Sequence, residues 1–292
     1  MNKPYTVCSS VQSAPAKPHS AHSSAIMEAC NAWAKSHGVD THKVEFRASP
    51  LGGVGAFATK AINAGDTLLL LPRGFAVTPY VCEVALQDAS LARSPRAALA
   101  LFLCHERARG PRSPWAVWLS TLPAEGLDGS AFGTSADVLA AAAATRRAEN
   151  PGMAPADAYT AWMASDDAGG EPPAKSYEEE IAGCRSQAAA TAAFCVGKRP
   201  DLARHLPWAI AAVATRAFRV NGVVQLLPLV EKMNHSPRGG RLVVTSAGEL
   251  ALLAGATYAA GDEVFLNYFD GQDASTPERV LAHYGFEPAA AC

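Results

Sequence analysis

The segment that decides the fold runs from residue 231 to residue 286 and contains the motifs MNHS (233–236), GDEVFLNY (261–268) and HYGF (283–286). Asn234 and His235 end the apolar run 223–230, and Tyr268 ends a second apolar run. Tyr284 closes a short predicted helix over 277–283. We therefore expect three separate segments to bring polar and aromatic groups to one ligand.

Composition limits the classes of protein and partner. The chain has 292 residues, 49% of them hydrophobic and 18% charged, which is typical of a soluble globular protein long enough to bury a core. A net charge of −2 argues against a general nucleic-acid-binding surface. No run reaches the roughly 18 apolar residues of a membrane helix. We expect neither nucleic acid nor membrane as a partner.

Cysteine usage and the first residues bear on the compartment. The seven cysteines are scattered and form no CxxC pair, which opposes both a disulfide framework and a zinc site and favours a reducing compartment. Residues 1–25 contain no Asp or Glu and no apolar core of the secretory type. They are interpreted as a tail or a weak transit segment. An intracellular protein, cytoplasmic or plastid, is predicted, with no metal.

Apolar periodicity and turn signals predict strands at both ends of the chain with helices between them, which indicates an α+β fold. Ser94 and Gly110 bound a helix over 95–109, and the aromatic segment 115–123 is predicted to be an ordered loop or short strand. Further predicted helices are 26–37, 207–218 and 277–283, and predicted strands are 44–46, 67–71, 223–230, 241–245, 249–253 and 263–268. The predicted division is a tail (1–25), an N-terminal half (26–125), an Ala-rich helical insert (126–205), a C-terminal half (206–288) and a tail (289–292).

Taken singly, the candidate motifs have ordinary explanations. The glycines of Gly53-Val54-Gly55 allow close approach of backbone N–H groups to a ligand, but they do not form GxGxxG, and a plain β-turn is the alternative. Asn234-His235-Ser236 matches a glycosylation pattern without a secretory signal. No serine lies in GxSxG, so a Ser/His hydrolase is disfavoured.

Together, six segments in this order resemble the SET-domain methyltransferases, in the class of the Rubisco large-subunit lysine methyltransferase and the actin-histidine methyltransferase. The glycine-rich stretch 52–72, the Thr-Leu-Pro segment 115–123 and the Arg216 region carry the first half of the resemblance. The segments 228–236, 261–268 and 284–286 carry the second half.

The resemblance implies a fold of small curved β-sheets interrupted by the helical insert, with a C-terminal segment tucked under a loop. It implies that S-adenosylmethionine (AdoMet) is the cofactor, with Phe286 near its adenine and Tyr268 as the catalytic residue. The implied cofactor-binding residues are Gly52, Gly53, Val54, Arg216, Asn234, His235 and Phe286, and the implied substrate-binding residues are Arg216, Glu231, Tyr268 and Tyr284.

The function implied by the resemblance is AdoMet-dependent transfer of a methyl group to a lysine side chain of a protein. Such a displacement depends on collinear positioning, and the lysine must be neutral although its ordinary pKa is about 10.4. Tyr268 is expected to orient the amine or to assist its deprotonation.

Three departures from the family pattern keep two alternatives open. Glu231 replaces an Asp, the loop 270–277 is longer and lacks an Asn, and only six residues follow Phe286, so the family's helical C-terminal domain is not expected. The alternatives are a SET-like interaction module with weak or no catalysis and a histidine-directed protein methyltransferase.

Overall fold

The computed structural model describes residues 21–41, 43–123, 132, 177–269, 280 and 283–284. The predicted tail 289–292, the loop 270–277, Phe286 and most of the predicted insert lie outside them. The helices are α1 (Ala21–Ser36), α2 (Pro79–Leu86), α3 (Pro95–Arg109), α4 (Ala116–Leu119), α5 (Tyr177–Lys198) and α6 (Leu206–Arg216). The strands are β1 (Val44–Ala48), β2 (Val54–Ala58), β3 (Thr67–Leu71), β4 (Ala217–Val220), β5 (Val223–Leu226), β6 (His235–Val244), β7 (Leu250–Leu253) and β8 (Glu263–Val264).

Three small antiparallel sheets carry the strands. Their orders are β1-β2-β8, β3-β7-β6 and β4-β5. The first two each join strands from both ends of the chain, since β8 pairs with β2 and β7 pairs with β3. The α+β prediction is confirmed, because helices and short antiparallel sheets form separate parts of one structure.

Two hydrophobic clusters hold these parts together. One is helical and centres on α3, in which every residue from Ala97 to Cys104 is buried. The other fills the space between the sheets and includes Phe46, Leu69 and Met233. Trp33 of α1 packs against both clusters, so this helix links the helical part to the sheets.

Several predicted boundaries are confirmed and several are wrong. Helix α3 and strand β3 have the predicted limits. Helix α1 begins at Ala21, before the predicted Ile26, and ends before Gly38, whose φ is 84°. Gly38 therefore stops the helix as predicted.

The prediction of an ordered loop or short strand for the aromatic segment 115–123 is wrong, because the segment contains the short helix α4. The amide of Leu119 donates to the carbonyl of Trp115 at 2.8 Å, and Trp115 and Trp118 are three residues apart, a spacing that places both side chains toward one face of a helix. The tryptophan spacing was the helical signal in the sequence.

The predicted helix 207–218 is also too long. Helix α6 ends at Arg216, and Phe218 pairs with Gln225 in the β4-β5 hairpin. Asn221 and Gly222 both have positive φ (49° and 79°), as the hairpin turn requires. Likewise, the predicted strand 223–230 ends at Leu226, and 263–268 is a regular strand only at Glu263–Val264.

The chain around Leu266 bonds to Asn234, the residue before β6, and to Gly240 within β6. The amide of Leu266 donates to the carbonyl of Asn234 at 2.9 Å, and the amide of Asn267 donates to that of Gly240 at 2.9 Å. A Cβ on Gly239 would lie 2.6 Å from the amide nitrogen of Asn267, so only glycine fits there. Residues 265–267 are therefore held against residues 234–240 by backbone hydrogen bonds.

In the part of the chain that the structure describes, no helix is long and apolar enough to cross a membrane.

Candidate functional site

A cavity of about 510 Å³ lies where the glycine-rich turn, the end of α6, the turn after β5 and the C-terminal tyrosines meet. These segments are far apart in the sequence and meet only in the folded chain. Eight of the ten residues proposed from the sequence line the cavity: Gly52, Gly53, Val54, Arg216, Glu231, Asn234, Tyr268 and Tyr284. His235 does not line it, and Phe286 lies outside the described residues.

The glycine wall stays open because of its backbone conformation. Gly52 and Gly53 have φ values of 102° and 66°, which disfavour any side chain. A Cβ at either position would meet nothing within 4 Å. These two glycines are thus required by the turn itself, and the turn leaves free volume beside their backbone groups.

Arg216 and Glu231 form a polar wall of the cavity. The guanidinium Nη1 of Arg216 donates to the main-chain oxygen of Glu231 at 2.8 Å, and the indole of Trp118 donates to Glu231 Oε1 at 2.9 Å. Glu231 is only 4% exposed. Arg216 Nε and Glu231 Oε2 are both buried, and neither has a hydrogen-bond partner among the residues that the structure describes. Unpaired buried polar atoms are costly, so this donor and this acceptor mark the place in the wall where the described residues leave two hydrogen bonds unmade.

Lys232 also lines the cavity, and the sequence did not suggest it. It is 5% exposed, and its Nζ lies 3.1 Å from Glu231 Oε1 and donates to the carbonyl of Thr121 at 2.7 Å. Burial lowers the pKa of Lys232, while the Glu231 carboxylate opposes that shift. The available signal was a pair of opposite charges between the apolar residues Val230 and Met233.

Tyr268 is held by its hydroxyl and by its neighbours. The hydroxyl donates to the carbonyl of Met233 at 2.7 Å. Burial raises the pKa of Tyr268 well above its ordinary value, with a smaller opposing effect of Arg216. The Tyr284 and Phe218 rings lie 5.2 Å and 6.5 Å from the Tyr268 ring. The phenol is therefore neutral at physiological pH and fixed in orientation.

His235 supports Tyr268 instead of lining the cavity. Its Nδ1 accepts the backbone amide of Tyr268 at 3.2 Å, and the two rings lie 5.0 Å apart. Burial lowers the pKa of His235. An Nδ1 that accepts a hydrogen bond must be unprotonated, so the neutral ring is the form that holds Tyr268.

Asn234 is fixed by two residues that the sequence did not suggest. Its Nδ2 donates to Glu263 Oε1 at 2.7 Å and to Ser49 Oγ at 3.1 Å. Glu263 stands in the GDEVFLNY motif, but its contact with residues near the glycine turn arises only from the pairing of β8 with β2.

Comparison with solved structures gives the fold. The SET domain of LSMT bound to lysine and AdoHcy matches over 90% of this chain with 19% identity and a TM-score of 0.59. Rubisco LSMT bound to AdoMet matches over 90% with 18% identity and a TM-score of 0.60, and Rubisco LSMT bound to sinefungin and monomethyllysine matches over 90% with 20% identity and a TM-score of 0.59. The expected SET-domain fold is confirmed.

The chain corresponds to little more than half of these structures, since it covers 57%, 57% and 56% of their chains. No protein-family model matches the sequence, and no curated protein matches it.

Proposed function

We propose that the protein is an AdoMet-dependent methyltransferase that methylates a lysine side chain of a protein substrate. The observation that carries this proposal is the convergence of the glycine turn, Asn234 and Tyr268 on one cavity within a SET-domain fold. The solved structures of similar fold were determined with AdoMet, AdoHcy or sinefungin, and two of them with lysine or monomethyllysine.

The cavity residues fit this cofactor by their chemistry. The backbone of Gly52, Gly53 and Val54 would contact it along the open glycine wall, and Asn234 offers a polar side chain beside that wall. Arg216 and Glu231 add charged side chains to the lining of the same cavity. When bound, AdoMet supplies a methyl group on a positively charged sulfur.

The role of Tyr268 follows from its hydrogen bond. Its hydroxyl proton is already donated to Met233, so the phenol oxygen is left to accept a hydrogen bond from the amine of the substrate. Its raised pKa opposes ionisation of the phenol near neutral pH. We therefore assign Tyr268 the orientation of the amine and not its deprotonation, and the amine proton leaves to water.

The charges around the polar wall favour a neutral acceptor. Arg216 and Lys232 contribute two positive charges against the single carboxylate of Glu231. A cation that enters this region loses hydration and meets a like-charge excess, and both effects lower the pKa of an entering amine. The neutral amine is the form that can attack the methyl group.

The test uses the complete chain with AdoMet carrying a labelled methyl group and a candidate proteome. We expect labelled proteins, with the label on lysine by mass spectrometry of peptides. Label on histidine would instead support the histidine-directed alternative. Calorimetric binding of S-adenosylhomocysteine without transfer to any protein would support an interaction module and would contradict the enzymatic proposal.

A further inference from the structure

Ser49, Asn234 and Glu263 form a closed triangle of hydrogen bonds at the edge of the cavity. Asn234 Nδ2 donates to Glu263 Oε1 (2.7 Å) and to Ser49 Oγ (3.1 Å). Ser49 Oγ donates to Glu263 Oε2 at 2.9 Å. Both hydrogens of the Asn234 amide and both oxygens of the carboxylate are thus engaged.

This triangle determines which end of the Asn234 amide is presented to a ligand. A carboxylate only accepts hydrogen bonds, so the amide atom next to Glu263 must be the NH₂ group. The carbonyl Oδ1 is consequently the free end. Among the described residues, none donates a hydrogen bond to it, and Asn234 lines the cavity.

The same residues shape the glycine turn. Ser49 Oγ accepts the amide of Leu51 at 3.0 Å, the carbonyl of Ser49 accepts the amide of Gly52 at 3.0 Å, and the amide of Ser49 donates to the carbonyl of Gly53 at 3.1 Å. A Cβ on Gly55 would lie 2.9 Å from Glu263 Cδ, so glycine is needed there for the carboxylate to reach the triangle.

We propose that Glu263 and Ser49 are positioning residues that present Asn234 Oδ1 as the acceptor for the ammonium group of the amino-acid part of the cofactor. This inference rests on the proposed function. An oxygen that can only accept requires a donor, and an ammonium forms a stronger, charge-assisted bond than the neutral amine or hydroxyls of a nucleoside. The Glu263 carboxylate behind the amide further favours a cation over those neutral donors.

The test compares two ligands by calorimetry: S-adenosylhomocysteine, which carries the ammonium, and 5′-methylthioadenosine, which lacks the amino-acid part. In Glu263→Gln the side chain keeps its shape but no longer forces the NH₂ of Asn234 inward. We expect the Kd for S-adenosylhomocysteine to rise about tenfold. The Kd for 5′-methylthioadenosine should change by less than about twofold, because this ligand lacks the ammonium group that Asn234 Oδ1 is proposed to accept.

Two further variants separate positioning from general damage. Ser49→Ala leaves the Glu263–Asn234 bond, so it should raise the Kd for S-adenosylhomocysteine by a smaller factor. The Kd for 5′-methylthioadenosine should again change little. Glu263→Gln combined with Asn234→Ala should bind no more weakly than Asn234→Ala alone, because Glu263 acts through Asn234. Glu45→Gln is the matched control, since Glu45 and Glu263 both pair with Phe57 and Glu45 is exposed.

Equal weakening of both ligands in Glu263→Gln, or no weakening of either, would overturn the positioning role while leaving the proposed function intact. Additive losses in the double variant would also contradict it. Failure of the wild-type protein to bind either ligand would overturn the proposed function and this inference together.

Discussion

The hydroxyl of Tyr268 donates a hydrogen bond to the main-chain oxygen of Met233, with 2.7 Å between the two oxygens. Met233 is fully buried and directly precedes Asn234. This bond ties the tyrosine that is proposed to orient the substrate to the segment that is proposed to hold the cofactor.

Replacement of Tyr268 by Phe should therefore reduce methyl transfer and spare cofactor binding. Loss of the hydroxyl removes the acceptor for the amine and the bond to Met233, and misorientation of reacting groups costs about 100-fold or more in rate. Single-turnover transfer and calorimetry with S-adenosylhomocysteine measure the two effects. Phe218→Leu, which changes a ring 6.5 Å from Tyr268 and leaves the hydroxyl, is the control. Transfer at the wild-type rate by Tyr268→Phe would exclude the proposed role.

Replacement of Lys232 by Met should destabilise the fold. It leaves the Glu231 carboxylate buried with the indole of Trp118 as its remaining side-chain partner, and removal of one member of a buried ion pair costs about 3–5 kcal/mol. Urea denaturation measures the free energy of unfolding. Adding Glu231→Gln to Lys232→Met should recover part of the loss, because it removes the buried carboxylate charge that Lys232→Met leaves without its ion-pair partner.

The exposed pair Arg199–Asp201 provides the control for that experiment. Its side chains are 36% and 57% exposed, so Arg199→Met should change the free energy of unfolding very little. A Lys232→Met protein as stable as Arg199→Met would contradict the assignment of a buried, charged pair.

Replacement of Gly239 by Ala should disrupt the segment 265–267. The added Cβ meets backbone atoms of Leu266 and Asn267, which cannot move without breaking the hydrogen bonds to Asn234 and Gly240. Overpacking of this kind costs about 1–3 kcal/mol, and thermal denaturation measures it. Gly183→Ala in α5, where a Cβ meets nothing within 4 Å, should leave the protein as stable or stabilise it by about 1 kcal/mol. Equal stability of Gly239→Ala and Gly183→Ala would contradict this prediction, because residues 265–267 would then move to accept the added Cβ at no cost.

The protein should lose stability as the pH falls below about 6.5. Burial lowers the pKa of His235 in the folded state, so the unfolded chain binds a proton first on acidification, and stability rises with pH in this window. His235→Asn keeps an acceptor for the Tyr268 amide and cannot titrate, so its denaturation midpoint should vary less between pH 7 and pH 5.5 than that of the wild type.

His205 must be separated from His235 in that measurement, because burial and nearby arginines lower its pKa as well. His205→Asn should remove a separate share of the pH dependence, since His205 directly precedes α6 whereas His235 begins β6. A His235→Asn protein with the wild-type pH dependence would contradict the neutral state assigned to His235.

The sequence alone determined the α+β class and, through the order of its motifs, eight of the residues that meet in the cavity. Helix α3 and strand β3 could be predicted to the residue because their limits are local: Ser94, Pro95 and Gly110 bound the helix, and Pro72 ends the strand. Where two local patterns competed, the prediction failed. The Trp115–Trp118 spacing and the Asn221–Gly222 turn were present in the sequence, but the apolar runs around them also fitted other structures.

Only the tertiary structure decided which residues of each motif face the cavity and which support their neighbours. His235 appeared with Asn234 as one motif, but the alternation of side chains along an extended chain sends Asn234 to the cavity and His235 toward Tyr268. The buried Lys232 and the Glu263–Ser49 triangle join residues separated by 111 and 214 positions. Such contacts depend on which strands pair, and the pattern of a single segment carries no information about its distant partner.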